Sequence, residues 1–237
     1  MAKSAFNFVL FVCAAFVVLT LGAMLAYPGG TALDAHSRGY EFSFNFFSDL
    51  GRTNARNNTP NPIASKLFFF ALSSAGVALG VFFLSFARFF WGDLAQRVVT
   101  GFGVVFGLLS ACYFVGIALN PTNLRPHQHV HFVYSAFRAF PLAVLCFSLA
   151  MLLSRSYPRR GLWVFGAFTV ILVAYLALIT AGPPTDSALG LMIQSLGQKA
   201  VVYASLACVA AQSWLARKHL SAEVENNERD VRLPPVE

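Results

Sequence analysis

VVTGFGVVFGLLSACYFVGIAL, residues 98–119, runs for 22 residues without one charged side chain. Coiled as an α-helix at 1.5 Å per residue it is about 33 Å long, close to the roughly 30 Å of hydrocarbon in a bilayer. Lipid offers no hydrogen-bonding partner for backbone amides, so a spanning segment must satisfy them within itself. The stretch therefore reads as a transmembrane helix. Five others read the same way, and the six run near Phe6–Tyr27, Ile63–Phe86, Val98–Leu119, His131–Leu153, Leu162–Ala181 and Leu189–Leu215. The fold class is all-α, an integral membrane bundle over residues 1–220. The stretch 221–237 is charged, ends near Pro234-Pro235 and reads as a disordered cytoplasmic tail. The apolar core of the first span, about 20 residues, exceeds that of a signal peptide, so this helix is expected to be retained.

Composition agrees. Of 237 residues, 57% are hydrophobic and only 11% are charged, against about 25% charged in a soluble domain. The net charge of +7 does not point to nucleic acid, because the basic residues are scattered between apolar spans. The four cysteines, Cys13, Cys112, Cys146 and Cys208, all fall inside spans and read as small packing residues.

Orientation follows from Lys and Arg. Lys3, Arg88, Arg97, Arg155, Arg159, Arg160, Arg217, Lys218, Arg229 and Arg232 fall at one end of the bundle, and Arg38, Arg52, Arg56 and Arg125 at the other. Ten against four places both termini in the cytoplasm. Trp91, Trp163 and Trp214 lie at the same end, as interfacial anchors do. The expected location is a bacterial inner membrane, multi-pass. Within this frame the longest loop, residues 28–62, is outside. Its segment Tyr40–Leu50 is expected to lie along the membrane surface as an amphipathic element. Gly76-x-x-x-Gly80 and Gly103-x-x-x-Gly107 have the spacing that lets helix backbones approach closely.

Polar groups within a membrane need a partner, a cavity or a function. Three regions qualify. Ser48 and Asp49 precede the second span, where Asp49 is either a turn cap or a paired, functional carboxylate. His127, His131, Tyr134 and Arg138 share one face of the fourth helix by their spacing of three, four and seven. A metal ion, zinc by its ligands, could take Asp49, His127 and His131; the other reading has these histidines bonding neighbouring loops, with no cofactor. On the sixth span, Gln194, Gln198, Ser205 and Gln212 form a stripe flanked by Lys199, whose amine must snorkel, pair or lose its proton. Asp49 and Asp186 are its candidate partners. Arg138 and Lys199, both expected to face the interior, suit an anionic head group.

Ser48, Asp49, Gly51, Asn61, Pro62 and Phe68, then Asn120, Pro121 and His131, resemble a bacterial six-helix membrane family labelled a domain of unknown function. That family is similar in layout to the damage-regulated autophagy modulators and to the Golgi proteins that remodel GPI anchors. Arg52–Thr59 lengthens the link between the Ser-Asp turn and the Asn-Pro pair, a departure that leaves open whether the two meet. The resemblance implies a membrane-embedded role tied to lipids without fixing a reaction. The expected site therefore comprises Ser48, Asp49, Asn61, His127, His131, Arg138, Gln194, Gln198 and Lys199. Membrane lipids are the expected partners, with a homo-oligomer as a further reading. Three functions remain: a lipid- or anion-interacting protein, a metal-dependent lipid hydrolase, and a small-solute transporter. The last lacks an inverted repeat. No nucleotide loop, nucleophile elbow or HExxH motif is present.

Overall fold

The structure is a computed structural model and describes residues 2–154 and 156–232. Six α-helices appear where the apolar stretches predict them: α1 Ala2–Ala26, α2 Pro62–Ala87, α3 Leu94–Leu119, α4 Pro126–Leu153, α5 Arg160–Ala181 and α6 Ala188–Arg232. All six contain a segment long and apolar enough to cross a membrane. The chain is a multi-pass membrane protein. Its starts are set locally. Pro62 and Pro126 stand in the first turns of α2 and α4, where a missing N–H costs nothing. Asp93 caps α3 by accepting the Gln96 N–H at 2.8 Å.

The helices form a closed ring in chain order, each packed on the next, with α6 returning to α1. Apolar side chains such as Phe11, Val18, Leu25 and Val170 point outward, as a lipid-facing surface requires. Inside, small residues set the distances, since dispersion packing rather than the hydrophobic effect drives helix association in lipid. Gly76 lies against the backbone of α3 at Ala111 and the side chain of Val115, while Gly107 receives the ring of Phe83 from α2. At the end bearing the N-terminus, Phe82, Phe83, Phe86, Phe90, Phe147, Tyr157 and Phe165 interlock as an aromatic core.

The expected disordered tail is instead helical through Arg232, because the stretch from Ala216 to Arg232 contains neither Gly nor Pro to break α6. At 45 residues α6 is about 68 Å long, roughly twice the hydrocarbon thickness. His219 and Glu223 pair at 3.3 Å along it. Residues 233–237, and Arg155 from the charge count, lie outside the described residues.

Candidate functional site

The α1–α2 connection folds into a cap over the end of the ring opposite the N-terminus. Gly29 and Gly30, at φ +140° and +83°, turn the chain where any Cβ would strike Ser37 or Arg56. Gly30 N–H donates to Ser37 O and Asn57 N–H to Gly29 O, knitting the two arms of the loop together. Phe47–Gly51 then forms a 3₁₀ turn. The segment Tyr40–Leu50 packs its second half into the end of the bundle. Asn45, Phe47, Asp49 and Leu50 are buried, and the turn plugs the mouth of the bundle. Phe47 stacks on Phe16 of α1 and meets Tyr203 of α6 edge-on. Phe47 finds more contact inside the mouth, against Phe16, Phe68 and Tyr203, than it would on a lipid surface.

Polar groups latch this plug to α6. Gln198 Oε1 accepts the Phe47 N–H at 2.7 Å, and the Ser195 hydroxyl donates to Ser43 O. The Lys199 ammonium, 2% exposed, donates to Asn45 O at 2.5 Å and to Ser195 O at 3.2 Å. It also sits over the rings of Tyr40 and Phe42, at 5.4 and 5.1 Å from their centroids. The Asn45 amide passes the contact on, donating to Gly30 O and to Asp49 Oδ2. Asp49 completes the chain. Its Oδ2 accepts the Phe46 N–H at 2.9 Å, and its Oδ1 pairs with Arg56 Nε at 2.8 Å. Asp49 is thus both the turn cap and the paired carboxylate.

Burial pushes the Tyr27 phenol up to about 12, its oxygen accepting the Arg56 N–H. Burial and then the Asp49 charge push Tyr40 up as well. Asn61 Nδ2 donates to Leu50 O and Arg52 O, so the Ser-Asp turn and the Asn-Pro pair do meet, across the lengthened link.

Beneath the plug lies a half-open chamber of about 90 Å³ between α1, α2, α3, α4 and α6. Its walls are apolar, from Val12 and Phe16 of α1 through Leu72, Ala75 and Leu79 of α2 to Val202 and Val209 of α6. Polar side chains reach it chiefly at the plugged end, from Ser48, His129 and Gln198. Compared with family models, with curated proteins and with solved structures, this chain matches none. The site is therefore read from its geometry alone.

That geometry revises several expectations. The outer polar cavity is apolar, and its polar fringe is small. His127, His131 and Arg138 do share a face of α4, but it is the exposed one. The Arg138 guanidinium rests over the Tyr134 ring, 5.5 Å from the centroid, away from the interior. The reason is visible in the register. His129, Val133, Ala136, Phe137, Phe140, Val144 and Phe147 make a longer and more apolar stripe, and it faces inward. Asp49, buried and paired with Arg56, does not join His127 and His131; among the described residues no three metal-ligating side chains come together.

Asp186 is exposed and is not the partner of Lys199. Gln194 caps the carbonyls of Leu178 and Pro183 at the end of α5, outside the chamber. Gln212 likewise binds Gly161 O near the opposite end of the bundle. His129 is the residue sequence reasoning missed. Its place four and eight residues before Val133 and Phe137, on the apolar stripe, was the available signal.

Proposed function

We propose that this protein holds the apolar portion of a membrane lipid in the chamber below the plug. The observation that carries the reading is an interior space of about 90 Å³ with apolar walls, several times the roughly 10–15 Å³ that one water needs. Water in such a space would find few partners, whereas an apolar chain entering from the bilayer fills it with dispersion contacts. The latch on α6 supports a plug held closed over its guest rather than an open channel. An anionic guest has less support, since Arg138 points outward and the Lys199 ammonium is turned into the loop carbonyl of Asn45. The resemblance to six-helix membrane families tied to lipids agrees with this reading. The excess of basic residues at the end bearing the N-terminus supports termini in the cytoplasm and residence in a bacterial inner membrane.

Purified protein, washed in detergent and extracted with organic solvent, tests the proposal by mass spectrometry of the extract. The wild type should release a lipid near one per chain. Ala75→Phe, which fills the chamber from α2, should release at least about ten-fold less while melting as a folded protein; this corresponds to about 1.4 kcal/mol. Equal lipid in the wild type and in Ala75→Phe would overturn the reading.

A further inference from the structure

His129 is 5% exposed, and its Nδ1 lies 2.7 Å from the carbonyl oxygen of Asn120. A carbonyl can only accept, so Nδ1 carries the hydrogen and the neutral ring presents Nε2 as a bare acceptor. The Asn120 side chain is itself fixed, donating to Gly116 O at 2.7 Å, so the carbonyl that selects the tautomer is held in place. The ring lines the chamber, and among the described residues Nε2 has no hydrogen-bond partner. Ser48 lines the same end, and its hydroxyl makes no hydrogen bond among the described residues. The third polar side chain there, Gln198, has its oxygen occupied by the Phe47 N–H.

Among the described residues no charged side chain lines this end of the chamber. Lys199 directs two of its N–H groups to Asn45 O and Ser195 O and lies over the Tyr40 and Phe42 rings, and Asp49 is closed by Arg56, Phe46 and Asn45. A carboxylate or phosphate brought here would lose its hydration with no cation to replace it. A quaternary amine would meet no anion. A neutral hydroxyl fits: it donates to Nε2 of His129 and accepts from Ser48, with its chain running down toward Val12, Phe140 and Val209.

We infer that the chamber selects a neutral, hydroxyl-bearing amphiphile with one long apolar chain, its hydroxyl held by His129 Nε2 and Ser48 Oγ. This inference rests on the chamber reading above.

The test uses the full chain in phosphatidylcholine vesicles and three photoactivatable long-chain compounds, hexadecanol, hexadecanoic acid and hexadecane, with labelled peptides mapped by mass spectrometry. Hexadecanol should label chamber residues roughly ten-fold more than hexadecane, the effect of one hydrogen bond of about 1.4 kcal/mol to a buried acceptor, and more than the acid at neutral pH, whose carboxylate would lose its hydration with no cation to replace it. In His129→Asn the new amide retains the donor to Asn120 O but lacks Nε2, so hexadecanol labelling should fall most of the way toward that of hexadecane, Ser48 keeping the remainder. Ser48→Ala, which removes no contact within the protein, should lower it two- to five-fold.

Hexadecane should label all three proteins alike. If the acid labels the chamber as well as the alcohol, or if both variants keep the alcohol preference, the selectivity is wrong and the chamber reading survives. If none of the three compounds labels the chamber, both fail together.

Discussion

Removing the carboxylate of Asp49 should loosen the plug by a calculable amount. Asp49→Ala deletes the ion pair to Arg56 at 2.8 Å, the acceptor for Phe46 N–H at 2.9 Å and the acceptor for the Asn45 amide at 3.3 Å. Hydrogen bonds to a charged group contribute about 1.5–3 kcal/mol each. The Arg56 side chain is 28% exposed and rehydrates when released, so that contact belongs at the low end of this range. The Phe46 N–H is left without its acceptor.

Because the three contacts share one carboxylate and their losses are not additive, the expected cost is roughly 3 kcal/mol, the low end of what removing one partner of a buried pair costs. For a chain of this length it corresponds to a fall of about 6–12 °C in melting temperature. Thermal unfolding in detergent, followed by tryptophan fluorescence, measures it. Limited proteolysis between residues 28 and 61 localises it, because the plug should become cleavable before the helices do. Asp49→Asn keeps an acceptor for Phe46 N–H and should lose about half as much. Arg56→Ala in the Asp49→Ala background should add little, since the partner is already gone. An Asp49→Ala protein that melts within about 2 °C of the wild type, with an equally protected loop, would refute the latch argument.

Two further outcomes follow from the packing and the phenols. Gly107→Leu forces a side chain into the ring of Phe83 and should lower the melting temperature or abolish folding, whereas Gly101→Ala, which meets open space, should change it by less than about 2 °C. Tyr27 is raised from its ordinary value near 10 to about 12 by burial, and Tyr40 is raised in the same direction. A raised folded-state value means that stability is intact below pH 10 and is lost as pH climbs toward 12. Protection of the 28–61 loop from proteolysis should therefore be flat from pH 7 to about 9 and fall above about 10. In Tyr27→Phe it should fall less steeply; a wild-type profile flat to pH 12 would contradict the burial of these phenols.

Much of the architecture could be read from local chemistry. The uncharged run at 98–119 and its five counterparts had to be helices, because lipid cannot solvate an amide, and their ends fell where Pro62, Asp93 and Pro126 put them. The Gly76 and Gly107 spacings pointed to close helix contacts for the same reason: only a residue without a Cβ lets another backbone or ring approach that far.

The site was legible only in part. Asp49, Gln198 and Lys199 could be singled out because a buried polar group needs a partner; Asp49 finds Arg56 and Phe46 close by in sequence, but the partners of Gln198 and Lys199 are backbone atoms of Phe47 and Asn45, about 150 residues away. No spacing rule reaches that far. The α4 histidines failed differently. Periodicity groups residues on a face without saying which face turns inward, and it singles out the outward set, His127, His131 and Arg138, as readily as the inward one that holds His129.

By itself, then, the chain of residues determined how many times the polypeptide crosses a membrane and which segments do so, since that depends on the hydration cost of each segment alone. Tertiary structure decided the ring order, the plugging of its mouth by 28–61, and the apolar chamber beneath. Those depend on which surfaces meet, and an inward and an outward face of one helix are distinguished only when the other five are in place.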